Sequence, residues 1–134
     1  MRIGSEEVLR SRYNGDMSNQ SFGKSGEDAA SAFLKKLGYK IVTRNFRTRF
    51  GEVDIIAKDD EQFVFVEVKT RKDDAYGAPE EAVTKTKQRH LLAAAQLYLQ
   101  KIRRVNDPWR VDVVALVGAN GDFKIKHLKN AVIA

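Results

Sequence analysis

Apolar and polar positions along the chain alternate between a helical and an extended rhythm. Ala30, Phe33, Leu34 and Leu37 recur at the spacing of one helix face. Ser25, with Asp28 three residues on, reads as the cap of that helix, and Gly38 as its end. Carried back one step, the same face takes in Glu27, an acid in the first turn. The segment YKIVTRNFR reads as a first strand. Two apolar runs follow, around Val53–Ala57 and Phe63–Val68, separated by a polar turn at Asp59–Gln62, which is the pattern of a hairpin. From Tyr76 to Ile102 the pattern predicts one long helix, with Pro79, Glu80 and Glu81 at its start and Val83, Leu91, Ala94, Leu97 and Ile102 on its apolar side. RVDVVALV and FKIKHL read as two further strands joined by an Asn120-Gly121 turn. Helix, three strands, helix, two strands predicts an α/β domain: one mixed five-stranded sheet flanked by helices. Residues 1–21 are polar and without periodicity, which predicts a flexible N-terminal extension before a single domain over 22–134.

The hairpin breaks its own pattern. Asp54 sits between Val53 and Ile55, and Glu67 between Val66 and Val68. A turn centred between Asp60 and Glu61 sets Asp54 opposite Glu67 and Glu52 opposite Lys69, with paired Cβ atoms about 5 Å apart. Those four charged residues then share one end of one sheet face, and Val53, Ile55, Ala57, Val64, Val66 and Val68 make the opposite face apolar. Two carboxylates so placed repel by roughly 3 kcal/mol at an effective dielectric near 20, so a cation must answer them. An ion-pair network with Lys69 and Arg71 is one answer, and a divalent metal ion is the other. The ligands on offer are oxygens, with no cysteine and two well-separated histidines, His90 and His127, a set that suits Mg²⁺ or Mn²⁺ rather than Zn²⁺.

Charge adds a partner. The 134 residues carry 24 Lys and Arg against 18 Asp and Glu, a net +6, which favours a polyanion such as nucleic acid. The basic residues crowd around the hairpin: Arg44, Arg47 and Arg49 before it, Lys85, Lys87 and Arg89 in the following helix. No apolar run is long enough to span a membrane, and the chain start has no apolar signal region. With no cysteine at all, the composition fits a reducing cytoplasm.

Asp54, the hairpin, and Glu67-Val68-Lys69 resemble the nuclease motif written PD-(D/E)xK, here without the proline before the first acid. A preceding helix that carries an acid, Glu27, is similar to the archaeal Holliday junction resolvase branch of that superfamily. The linked phrases GEDAASAFLKKLGYKIVTRNFRTRFGEVDIIA, FVEVKTR, KTKQRHLLAAAQLYL and RVDVVAL resemble the YraN-like uncharacterised protein family over nearly all of the chain after Ser21. The resemblance implies a restriction-endonuclease-like fold and a metal-dependent nuclease acting on DNA, with branched or structured DNA as a candidate substrate. It implies that Asp54, Glu67, the backbone carbonyl of Val68 and Glu27 hold Mg²⁺ or Mn²⁺. Lys69 would orient or activate the attacking water, with Glu52 and Gln88 in support. Lys87 falls where related nucleases place a helical site residue, or serves as a phosphate contact. Arg110 and Asp112 read as a strand ion pair. The resolvase resemblance also suggests a homodimer, because symmetric junction cutting needs two sites. The competing reading is a nucleic-acid-binding module on a nuclease-like fold that does not cut.

Overall fold

The structure, a computed structural model, describes residues 5–12 and 22–132. Along the chain it comprises β1 (Ser5–Arg12), α1 (Phe22–Lys36), β2 (Lys40–Thr48), β3 (Gly51–Asp59), β4 (Gln62–Arg71), a 3₁₀ turn (Pro79–Ala82), α2 (Lys85–Lys101), β5 (Trp109–Ala119) and β6 (Asp122–Val132). The strands form one mixed sheet in the order β1-β6-β5-β4-β3-β2. β4 and β5 run parallel, because α2 carries the chain across the sheet between them. The other neighbouring pairs are antiparallel. The two helices cover opposite faces, as a restriction-endonuclease-like fold requires. No helix among the described residues is long and apolar enough to cross a membrane.

Each face buries its own core. Ala29, Ala30, Phe33 and Leu34 of α1 lie against Ile55, Ala57, Val64, Val66, Val114 and Leu116. Leu91, Ala94, Ala95, Tyr98 and Leu99 of α2 lie against Ile56, Phe63, Phe65, Val111 and Val113. Strand alternation supplies both sets from the same strands, which is why β3 and β4 read as near-continuous apolar runs.

Four expectations need correction. The five expected strands are present as β2–β6, but Ser5–Arg12, expected within a flexible extension, adds β1 on the edge of β6. The rest of that segment, 1–4 and 13–21, lies outside the described residues. α1 starts at Phe22, so Ser25 is buried inside it rather than capping it, and Leu37 is 37% exposed, beyond its end. The expected single helix from Tyr76 is a 3₁₀ turn and then α2, divided at Thr84, whose hydroxyl accepts the Lys87 N–H at 3.2 Å. Val53 packs with the α2-side core rather than with Ile55 and Ala57.

The hairpin register is the predicted one. The β3–β4 ladder runs from Asp59–Gln62 to Ile55–Val66, around a turn in which Asp60 takes φ 53°. Continued by one step it sets Asp54 opposite Glu67. The β5–β6 hairpin turns on Asn120 and Gly121, both with positive φ as its two-residue turn requires. At Gly26, a Cβ would lie 2.1 Å from the Thr70 hydroxyl oxygen. That missing side chain is what lets the first turns of α1 settle on the end of β4, next to Asp54.

Candidate functional site

The β3–β4 ladder stops at Ile55–Val66 because a side chain takes over. Asp54 Oδ2 accepts the N–H of Val68 at 2.8 Å, and the two strands part beyond that point. Val68 is therefore tied to Asp54 through its N–H. The Asp54 carboxyl is pushed up from 3.8 to about 8, first by burial and then by the Glu67 carboxyl within hydrogen-bonding reach, with Glu27 adding to the push. Near neutral pH that carboxyl holds a proton, which is how the strands tolerate two facing acids.

Glu67 is 2% exposed. Its cation is Lys87 of α2, whose Nζ lies 3.0 Å from Oε2, at an angle that makes an ion pair without a hydrogen bond. An ion-pair answer to the hairpin charge thus exists, but Lys69 and Arg71 do not supply it. Lys69 lies two residues beyond Glu67 on the same strand face, half-buried, and has no acid partner among the described residues. Lys87, expected at the site or on a phosphate, is at the site. Gln88 is not: its amide donates to the Val83 carbonyl at 3.0 Å and braces the start of α2.

Around Asp54 the acids converge. One carboxylate oxygen each from Glu27, Glu52 and Asp54 lies within 4.8 Å of the other two. Oxygens around one Mg²⁺ sit about 3 Å apart when adjacent and about 4.2 Å when opposite, from its ligand distances near 2.1 Å. The three side chains lie near enough for small side-chain shifts to bring them round one ion, and the donor set is wholly oxygen. Glu52, expected in a supporting role, belongs to this cluster directly. Glu67 lies outside it and reaches it through Asp54. Burial raises the Glu27 carboxyl above its ordinary value against the lowering pull of Arg44.

Strand β2 wraps the cluster with donors. Arg44 Nη2 lies 2.8 Å from Asp28 and 3.7 Å from Glu27. Arg47 Nε donates to Glu52 Oε2 at 3.1 Å, directly across the β2–β3 ladder. With its amide nitrogen turned to the acids, Asn45 lies 3.0 Å from Glu27 Oε1 and 2.8 Å from Glu52 Oε1. Arg44 is thus an internal counter-ion rather than a free phosphate contact. Arg49, Lys85 and Arg89 are exposed, Arg49 over the Phe50 ring at 5.0 Å and Arg89 bonded to the Thr86 hydroxyl. The acids open on two sides. A cleft of about 560 Å³ is lined by Lys24, Glu27, Arg44, Asn45, Arg47 and Glu52, and one of about 100 Å³ by Glu52, Lys87 and His90.

The pairing of Lys87 with Glu67, and Asn45, escaped the sequence pattern. Lys87 reaches Glu67 only because α2 crosses over β4, which no local spacing encodes. Asn45 did leave a signal: a poor strand former inside a strand, at φ 57°. The expected pair Arg110–Asp112 is present at 3.0 Å, within a larger network that takes in Tyr39 and His127.

The model of the uncharacterised protein family UPF0102 matches residues 26–116, and the chain belongs to that family. A UPF0102 protein of Caldicellulosiruptor saccharolyticus is 52% identical over 117 residues, 86% of this chain and 99% of its own. One of Syntrophomonas wolfei is 46% identical over 113 residues, covering 84% and 98%. One of Geotalea uraniireducens is 45% identical over 124 residues, covering 92% and 96%.

Proposed function

We propose that this UPF0102 protein is a cytoplasmic nuclease, dependent on Mg²⁺ or Mn²⁺, that hydrolyses phosphodiester bonds in DNA. The observation that carries the reading is the convergence of Glu27, Glu52 and Asp54 within 4.8 Å. Arg44 and Arg47 answer Glu27 and Glu52, but no cation among the described residues pairs with Asp54. Here Asp54 stays neutral instead, a state suited to giving up a proton when a divalent ion arrives.

Glu27, Glu52 and Asp54 would hold the ion. Such an ion neutralises phosphate charge and lowers the pKa of a bound water. Lys69 would meet the scissile phosphate and orient the attacking water or balance the charge that develops. The Glu67–Lys87 pair fixes Asp54 from behind. Arg47, Arg49, Lys85 and Arg89 would carry the flanking backbone on the rim.

The test is cleavage of labelled branched, flapped, single-stranded and duplex DNA, and of matching RNA, by the wild type and Asp54→Asn in Mn²⁺. Cutting by the wild type and not by Asp54→Asn supports the reading, and the preferred substrate names the class. Salt-dependent binding without any cutting would replace it with a binding module on this fold.

A further inference from the structure

We propose that Asn45 is a positioning residue of the metal site, holding Glu27 and Glu52 at the spacing an ion needs before any ion arrives. The inference rests on the reading of Glu27, Glu52 and Asp54 as a metal site, and adds the group that assembles it. Glu27 comes from α1 and Glu52 from β3, elements brought together only by packing. With the amide oriented so that its nitrogen faces the acids, as the surrounding acceptors require, Asn45 Nδ2 bridges them, 3.0 Å from one carboxylate and 2.8 Å from the other. It is a neutral double donor, so it draws two like charges together without adding a positive charge to repel a cation. An arginine or lysine in its place would compete with the ion.

The backbone is shaped for this contact. Asn45 sits opposite the Asp54 position, between the paired residues Arg44–Ile55 and Phe46–Val53. Its φ of 57° lies in the left-handed region, which asparagine tolerates better than most residues and which turns its side chain from the ordinary strand direction. The bridged atoms are Glu27 Oε1 and Glu52 Oε1; Glu27 keeps its second oxygen for coordination, and that of Glu52 is shared with Arg47 Nε, which donates to it at 3.1 Å. Hydrogen bonds of this kind, to the ligands rather than to the metal, typically govern affinity by roughly 10–100-fold.

The experiment is Mn²⁺ binding by the full chain, read by calorimetry and by electron paramagnetic resonance, with no substrate present. Asn45→Gly removes the amide and keeps the left-handed backbone, which glycine adopts freely. Its Mn²⁺ affinity should fall roughly 10–100-fold, with a metal-free melting temperature near that of the wild type. Equal affinity in Asn45→Gly and the wild type overturns the assignment of Asn45 and leaves the metal site standing. A wild type that does not bind Mn²⁺ overturns both. If Asn45→Gly fails to fold, Asn45→Asp decides. It tolerates the same backbone and sets a further carboxylate within 3.0 Å of Glu27 and Glu52. Because the aspartate exchanges the donor for a carboxylate at the cluster, a Mn²⁺ affinity shifted from wild type then supports the placement, and one equal to wild type overturns it.

Discussion

Replacing Glu67 by glutamine separates the two roles open to a buried acid. In the folded protein Asp54 titrates at about 8, against 3.8 ordinarily, owing to burial and then to Glu67. Between those values the folded state holds a proton that the unfolded chain has released, so stability falls as pH rises through that window. Glu67→Gln removes one of the two acids. At pH 5 Asp54 is protonated in both proteins, and the variant merely loses the pair with Lys87. That lysine is 38% exposed and keeps its water, so the loss should be about 1 kcal/mol. At pH 9 the wild type carries both charges. Unit charges 4–5 Å apart at an effective dielectric near 20 repel by about 3–4 kcal/mol, which the variant avoids. Net of the lost pair, it should be about 2 kcal/mol more stable than wild type at pH 9 and about 1 kcal/mol less stable at pH 5.

Urea denaturation in a chelator buffer from pH 5 to 9 measures this. The chain has one tryptophan, Trp109, and its ring packs edge-on to Phe65 at 5.9 Å, so its fluorescence follows unfolding of the α2-side core. The two stability curves should cross near neutral pH. Parallel curves, or a variant weaker throughout, would make Glu67 an ordinary half of an ion pair and remove the carboxyl repulsion from the account.

Because Asp54 must lose its proton to bind a cation, the rise in melting temperature caused by Mn²⁺ should grow from pH 6 to 8.5, and a flat response would exclude Asp54 as a ligand. Gly26→Ala forces a methyl to within 2.1 Å of the Thr70 hydroxyl, so it should cost about 1–3 kcal/mol in urea melts and weaken Mn²⁺ binding by moving Glu27; Thr70→Ala should restore part of both. Alanine at Arg47, Arg49, Lys85 and Arg89 together should flatten the slope of log DNA affinity against log salt by just under one unit for each phosphate these side chains neutralise, whereas an unchanged slope would clear this surface. Arg44→Ala should act on stability instead, by about 1–3 kcal/mol in the same melts, because Arg44 is tied to Asp28 at 2.8 Å.

Much of this was legible in the sequence because it is local. The hairpin register follows from turn length and pleat, so Asp54 could be set opposite Glu67 from the sequence alone. Helix periodicity carried back one step put Glu27 on the core-facing side of α1, though in its second turn rather than the expected first, and only the resemblance gave it a place at the site. What stayed hidden depends on packing between elements. The Glu67–Lys87 pair needs the crossover of α2. The inclusion of Glu52 needs the strands to part at Asp54, which happens because a side chain replaces a ladder bond. The edge strand β1 was hidden for another reason: SEEVLRSR has weak alternation, and its pairing is supplied by β6.

The contrast between two acids of the same sheet supports the proposal that the Asp54 cluster is a site rather than merely a buried charge. Asp112 on β5 is fully buried. Burial alone would raise its carboxyl, yet hydrogen bonds from His127, Arg110 and the Asn130 N–H outweigh that and hold it below its ordinary value. Arg110 in turn reaches Asp59, Gln62 and the Tyr39 hydroxyl, so the network clamps the ends of β3, β4 and β6. This is an acid given every partner it can use, and it stays charged to hold structure together. Asp54 receives one backbone N–H and three acidic neighbours, Glu67, Glu27 and Glu52, and is driven the opposite way. The fold had the means to satisfy a buried carboxylate and used them at Asp112. At Asp54 it gathered further acids instead, with Asn45 as a neutral spacer. Such an arrangement costs stability in the absence of a cation, and a divalent ion is the species whose binding turns that cost into affinity.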